Sequence, residues 1–140
     1  MFSFIDLEFL GVIIPLLAKG CLITIQLTLL AIFFGTIIGL LVALAKLSPV
    51  APLRWFGGIY TWVLRGVPLL VQLYVLYYGL AQIGLLELDA FTAAVTGLSM
   101  CAGAYIAEII RAGIQSIDHG QKEAALSLGM TAGTAMRRII

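Results

Sequence analysis

Two charged side chains at the end of a long apolar run are the residues whose types and spacing most clearly suggest chemistry. Glu108 and Arg111 stand three positions apart, so on a helix they share one face and can form an ion pair. A charge next to a membrane-buried segment can also contact a charged substrate. Gln72 and Gln82 are the polar exceptions in another apolar run, where amides either bond between helices or line a substrate path. Both alternatives stay open for each pair.

The other reactive residue types do not form a recognisable catalytic or metal-binding pattern. His119 is the only histidine, and Cys21 and Cys101 both lie in apolar stretches without metal-ligand spacing. Free cysteines in such surroundings pack as small apolar side chains. We therefore expect no catalytic residue and no metal site in this chain, and a membrane-embedded enzyme is the least supported class of function.

The composition is that of a membrane protein. Of the 140 residues, 62% are apolar and 11% are charged, and the mean hydropathy is +1.13. Soluble domains carry roughly 25% charged residues, so this chain has too few polar residues to cover a water-exposed surface. We expect one all-α, multi-pass domain in the lipid bilayer and no nucleic-acid partner.

Three apolar runs predict membrane spans at 20–45, 68–86 and 90–111. The first run would be about 39 Å long as a helix, more than the roughly 30 Å hydrocarbon core. Residues 1–17 predict a separate helix lying at the membrane surface. The segment Trp55–Leu64, with its two tryptophans, is either an interfacial elbow helix or the start of the second span.

The glycine spacing and the distribution of cations predict how these spans pack and which way they face. Gly35 and Gly39 form a G-x-x-x-G pair, which either brings two helices close together or is ordinary span composition. Cations mark the cytoplasmic side of membrane proteins. Three crossings place seven of the eight Lys and Arg residues on one side, with only Lys19 on the other, and put the N-terminus outside. The seven are Lys46, Arg54, Arg65, Arg111, Lys122, Arg137 and Arg138.

The polar segment 112–140 predicts two short helices joined by a glycine. Apolar residues recur at helical spacing along its first part, at Ile114, Ile117 and Leu128 with an alanine between them. Gly129 suits the position just after a helix, where the backbone turns left-handed. Thr131 suits the N-cap of the next helix. Such a helix–glycine–helix unit is a rigid protrusion that can transmit motion between two parts of an assembly.

The spacing in this segment resembles the EAA loop of bacterial ABC-importer permeases. Glu123-Ala124-Ala125 is followed after three residues by Gly129 and after nine more by Ile139. Two longer patterns are similar to the histidine, glutamine and arginine permeases of the polar amino-acid uptake family. They are Arg65-Gly-x-Pro68-Leu-Leu-Val-Gln72-Leu and Tyr105-x-Ala-Glu108-x-x-Arg111-x-Gly113, the second continuing through Gly120-Gln121-x-Glu123.

The resemblance implies a fold, partners and roles for individual residues. The fold would be the all-α type I (MetI-like) permease fold, with three of five expected spans present, so we expect a fragment or a truncated product. The partners would be an ATPase subunit that holds ATP and Mg²⁺, a second permease subunit in a homo- or heterodimer, and a periplasmic or lipid-anchored amino-acid-binding protein. The chain itself would need no cofactor. The residues that would couple to the ATPase are Gly120, Gln121, Glu123, Ala124, Ala125 and Gly129.

The resemblance thus predicts a permease subunit of an ATP-driven importer of polar amino acids in the bacterial cytoplasmic (inner) membrane, with the EAA loop in the cytoplasm. Its candidates for a substrate path are Gln72, Tyr105, Glu108 and Arg111. The alternative is a secondary transporter driven by an ion gradient, with Glu108 as the ion carrier. Carrier sites of that kind lie near the bilayer midplane, whereas Glu108 lies near the end of a predicted span.

Overall fold

The computed structural model describes residues 7–139, and within that range every regular element is a helix. In chain order the elements are α1 (Leu7–Leu47), α2 (Ala51–Gly66), α3 (Leu69–Tyr74), a π-helical segment (Val75–Gly79), α4 (Leu80–Gln82), α5 (Ala90–Gln115), α6 (His119–Ser127) and α7 (Ala132–Arg138). By length and composition, Leu10–Leu47 and Ala90–Gln115 can each cross a membrane, and the bent pair between them is a third candidate.

Helix α1 corrects the predicted boundary between a surface helix and the first span. Residues 1–6 of the predicted surface helix lie outside the described residues, but from Leu7 onward the chain is one helix of 41 residues, through Pro15 to Leu47. Lys19 does not break it, because lysine is a good helix former. At 1.5 Å per residue α1 is about 60 Å long, so part of it must lie beyond the hydrocarbon core of a bilayer.

The second predicted span, 68–86, begins at a sharp bend between two helices. Helix α2 (Ala51–Gly66) and the helical run Leu69–Gln82 meet at 104°, which favours the elbow alternative for residues 55–64 over a straight span. The run ends at Gln82 rather than at residue 86. Gly84 takes a φ of +68°, and a left-handed glycine at this position terminates a helix.

Helices α1 and α5 form the core, and they run in the same direction. Their contacts advance together, from Gly35 with Ala102 to Lys46 with Glu108. A Cβ atom at Gly39 would lie 2.7 Å from Ile106 Cγ2 and 3.0 Å from the Gly103 carbonyl oxygen, so only glycine fits there. The close-approach interpretation of the G-x-x-x-G pair is therefore confirmed. Helix α5 continues past the predicted end at 111, across Gly113, to Gln115, and a turn then leads to the N-cap of α6 at Asp118.

The polar segment folds as the predicted helix–glycine–helix unit. Asp118 caps α6 by accepting a hydrogen bond from the Gly120 N–H at 2.7 Å. Gly129 has a φ of +82°, and the Met130 N–H donates to the Ala125 carbonyl at 3.1 Å, which closes the end of α6. Thr131 caps α7 by accepting from the Thr134 N–H at 3.3 Å. The predicted positions of the left-handed glycine and the N-cap are confirmed.

The predicted apolar stripe in this segment is wrong except at its alanine. Ile114 belongs to α5, Ile117 lies in the turn before α6, and Leu128 is 81% exposed at the end of α6. The reason is Asp118, whose cap starts a new helix in a new direction, so helical spacing does not carry across it. The buried residues of the segment are Ala125, one of the two alanines expected in the stripe, and Ala135. Ile140 lies outside the described residues.

Candidate functional site

Four charged side chains from three helices meet at the end of the bundle nearest α6. The Glu108 carboxylate on α5 accepts hydrogen bonds from the Lys46 ammonium of α1 and, at 2.9 Å, from the Arg111 guanidinium one turn along α5. The Arg65 guanidinium of α2 lies 3.9 Å from the same carboxylate. We call Lys46, Arg65, Glu108 and Arg111 the charge cluster. With three cations and one carboxylate it has a net charge of +2.

The charge cluster borders an open cleft. The cleft is about 490 Å³ and lies between the ends of α1, α2 and α5. The Arg65 guanidinium sits over the Tyr105 ring, 5.3 Å from its centroid, in a cation–π contact. Lys46 also donates to the Thr61 hydroxyl at 2.9 Å. Chemically, this arrangement can lock three helix ends together and can attract an anion.

The predicted Glu108–Arg111 ion pair is present, but sequence reasoning missed its two further partners. Lys46 and Arg65 are 62 and 43 positions away from Glu108 in the chain, so no helical spacing connects them. A usable signal did exist. Counting cations had placed Lys46, Arg65 and Arg111 on one side of the membrane, and Glu108 is the carboxylate at that same end of a span.

The predicted substrate-path residues do not all lie at the cleft. Tyr105 and Glu108 both line the cleft. Gln72 does not: its amide N–H groups donate to the carbonyls of Leu64 and Val67 at 2.9 and 2.8 Å. Those carbonyls belong to the last turn of α2 and the link to α3, so Gln72 braces the 104° bend. Its Oε1 atom is buried without a partner among the described residues.

The predicted coupling residues form an exposed surface around one buried alanine. Gly120, Gln121, Glu123 and Ala124 are exposed on α6, and Gly129 is exposed in the turn. Ala125 is 4% exposed and points into the segment. The arrangement presents polar and small side chains on a short helix whose two ends are fixed by a cap and a glycine turn.

Among the side chains that the structure describes, no three His, Cys, Asp or Glu residues lie close enough to hold a metal ion.

Comparison with known proteins decides the family. The model of the family described as binding-protein-dependent transport system inner membrane component matches residues 31–140, which include the charge cluster and the helix–glycine–helix unit. The chain belongs to this permease family.

Relatives of this permease-family chain agree with that assignment. It is 42% identical over 127 residues to the arginine transport system permease protein ArtQ of Bacillus subtilis (strain 168), which covers 91% of this chain and 58% of the relative. It is 44% identical over 126 residues to the L-cystine transport system permease protein TcyB of the same organism, which covers 90% of this chain and 53% of the relative.

A solved structure shows the same fold. The crystal structure of an amino acid ABC transporter with histidines matches with a TM-score of 0.86 and 47% identity, over 95% of this permease-family chain and 62% of that chain. The predicted family and the predicted all-helical permease fold are confirmed. The chain spans between about half and two thirds of the length of the relatives it matches.

Proposed function

We propose that this chain forms part of the membrane permease subunit of an ATP-driven importer of polar amino acids. The observation that carries the proposal is the family match over residues 31–140, because it runs from within α1 through α5 and the polar segment. The relatives named for arginine and L-cystine transport support polar amino acids as the substrate class. Tyr105 and Glu108 at the cleft are the candidates for contact with the charged groups of such a substrate, with Arg111 behind them.

The unit formed by α6, Gly129 and α7 is the proposed contact with an ATPase subunit. Its exposed residues Gly120, Gln121, Glu123 and Ala124 offer a docking surface. Capped ends and a left-handed glycine fix the angle between the two helices. A partner that displaces α6 would therefore move α6 and α7 together rather than unwind α6. The unit follows α5 directly, and it is therefore placed to pass motion to the spans.

The proposed topology has the N-terminus outside and the α6–α7 unit in the cytoplasm. Helices α1 and α5 run in the same direction, so the chain must cross back once between them. Lys46, Arg65 and Arg111 lie together at one end of the bundle, and the positive-inside rule makes that end cytoplasmic. The location is the bacterial inner membrane.

The proposed assembly places the chemistry of ATP in a partner. The ATPase subunit would bind ATP and Mg²⁺ and hydrolyse the nucleotide, a second permease subunit would complete the pathway, and a binding protein outside would deliver the amino acid. This chain would need no cofactor and would not be an enzyme. Its task would be to pass the substrate between helices that move relative to one another.

No observation favours the ion-gradient alternative. Its carrier would be Glu108, but that carboxylate is bound by Lys46 and Arg111 and lies beside Arg65. A proton carrier must lose and regain its charge during each cycle. Three neighbouring cations oppose that change, because they stabilise the charged form.

Measuring whether amino-acid uptake depends on ATP or on the proton gradient tests the proposal. The complete permease should be reconstituted in vesicles with its ATPase and binding protein, and uptake of labelled arginine, histidine and cystine measured. We expect uptake of at least one of them to require internal ATP and to persist when a protonophore collapses the proton gradient. Uptake that survives ATP depletion but stops with the protonophore would overturn the proposal in favour of the alternative.

A further inference from the structure

Helix α2 has a repeating pattern that the transport function does not explain. Arg54 and Arg65 are eleven residues apart, three helical turns, so they lie on one line along the helix. Trp55 and Trp62 are seven apart, two turns, and form a second line about a quarter turn away. Gly58 falls between the two lines. The helix therefore carries a row of arginines and a row of tryptophans with a gap where Gly58 has no side chain.

In the structure, a groove lies over the gap at Gly58. A cleft of about 350 Å³ lies on the Arg54 and Trp55 side of Gly58, and the cleft of about 490 Å³ described above lies on the Arg65 side. Gly58 and Trp62 line both clefts. The adjacent face of α2, within about a third of a turn of Gly58, packs on α1 through the buried residues Gly57 and Thr61.

The groove is positively charged, and its two arginines have guanidinium N–H groups that can still donate hydrogen bonds to a ligand. Arg54 makes one hydrogen bond, from NH1 to the Ser48 carbonyl at 3.3 Å, and the Arg65 side chain is 44% exposed. A guanidinium has five N–H donors and matches a phosphate with two parallel hydrogen bonds. Glu108 is a carboxylate that lines the cleft on the Arg65 side, and Lys46 and Arg111 already pair with it. The groove therefore favours an anion.

The tryptophans indicate where that anion comes from. Trp55 and Trp62 are 71% and 78% exposed, and tryptophan side chains settle at the boundary between lipid tails and headgroups. The groove lies at the end of the bundle where the cations collect, and basic pockets between helices on the cytoplasmic side bind anionic headgroups. Two arginines that can bind phosphate, beside two tryptophans that favour the interface, fit a phospholipid headgroup at that boundary.

We propose that the groove along α2, with Arg54 and Arg65 at its ends and Gly58 as its floor, binds the phosphate headgroups of anionic phospholipids. The arginines are about 16 Å apart along the helix, so each would hold a separate phosphate. The half of the groove on the Arg65 side is the cleft that also contains Tyr105 and Glu108. The lipid site does not rest on the proposed import activity, because it requires only that α2 lies at the membrane surface and its test measures lipid retention rather than uptake.

Filling the groove tests the site. A Cβ atom at Gly58 meets nothing within 4 Å, so Gly58→Leu should occupy the groove without disturbing the fold. Gly113→Leu is the matched control, an exposed helical glycine on α5 that also meets nothing within 4 Å. The measurement is native mass spectrometry of the complete permease with its partners, titrated with phosphatidylglycerol or phosphatidylcholine.

We expect phosphatidylglycerol to be retained in preference to phosphatidylcholine, and Gly58→Leu to remove that preference while Gly113→Leu keeps it. Arg54→Gln and Arg65→Gln should each weaken phosphatidylglycerol binding about fivefold, the share of one cation near an anionic surface. Equal retention of the two lipids by the unaltered protein would overturn the proposal. So would unchanged binding in Gly58→Leu, or full displacement of the lipid by millimolar inorganic phosphate, which would point to a site for a free anion.

Discussion

Glu108 holds the ends of three helices together, because its carboxylate on α5 lies beside Lys46 of α1 and Arg65 of α2. Its carboxylate is mostly buried, with 18% of the side chain exposed, and the Lys46 side chain is 15% exposed. Two charges in such surroundings are stable only as a pair, because neither can recover the water it has lost. The cation–π contact between Arg65 and Tyr105 adds α2 to the same assembly. The charge cluster is therefore expected to act as one unit.

Glu108→Gln should destabilise the protein strongly. The change leaves Lys46 buried without a counter-ion, and breaking a buried pair costs roughly 3 kcal/mol or more. Thermal unfolding of the purified complex should show a lower Tm than for Glu87→Gln, which changes an exposed carboxylate in the loop before α5. Adding Lys46→Met to Glu108→Gln should recover part of the loss, and a double variant less stable than either single one would contradict the paired account.

Asp89 is expected to make the start of α5 sensitive to acid. The Thr92 hydroxyl and the N–H groups of Thr92 and Phe91 donate to its carboxylate and lower its pKa below the usual 3.8. A lowered pKa in the folded state stabilises the fold above the unfolded pKa, and this contribution disappears as the pH falls through the folded pKa.

The pH dependence of a capping variant would measure this effect. Asp89→Ala should have a lower Tm than the unaltered protein at pH 6, because three donors at the helix start lose their acceptor. The difference in Tm between the two proteins should shrink as the pH is lowered from 6 to 3. A difference that stays constant over that range would show that the charge of Asp89 has no part in the cap.

At the scale of helices, the packing of α1 on α5 depends on glycines rather than on large apolar side chains. Ala43, Ala104 and Ala107 are fully buried. Inside a membrane there is no hydrophobic drive between apolar helices, so close backbone approach and van der Waals contact supply the stabilisation. Gly35, Gly39 and Gly103 allow that approach.

Gly39→Ala should therefore loosen the bundle although alanine favours helices. Its Cβ atom would press on Ile106 and on the backbone of Gly103, and overpacking of this kind costs typically 1–3 kcal/mol. Gly20→Ala is the control in the same helix, because a Cβ atom there meets nothing within 4 Å. We expect a lower Tm for Gly39→Ala only, and equal Tm values for the two variants would contradict the close packing.

Sequence patterns predicted local features well and contacts between distant residues poorly. Gly129 and Thr131 were predictable because helix ends depend on the backbone preferences of one or two residues. The Lys46–Glu108 pair was not, because it exists only once α1 and α5 pack in parallel. The bend between α2 and α3 was half predicted. An elbow helix at Trp55–Leu64 and a span beginning at Pro68 were expected, but the brace formed by Gln72 depends on three-dimensional proximity to Leu64.

At the scale of the whole molecule, the described structure combines a parallel helix core, a charge cluster at one end of that core and a capped two-helix unit beyond the cluster. The cluster ties α1, α2 and α5 together beside the point where α5 leads toward α6. Movement of the α6–α7 unit would thus reach three helices at once. The angle set by Gly129 is the feature through which we propose that the unit couples to an ATPase.

Uptake by Gly129→Ala and Gly133→Ala variants tests that central claim most directly. Each change adds one methyl group with nothing within 4 Å, but only Gly129 has a left-handed backbone, at φ +82°, where a side chain costs about 1–2 kcal/mol. In the complete permease reconstituted with its ATPase and binding protein, Gly129→Ala should lower amino-acid uptake per ATP hydrolysed while leaving membrane insertion unchanged, and Gly133→Ala should match the unaltered protein. Equal uptake per ATP in all three proteins would contradict the coupling role.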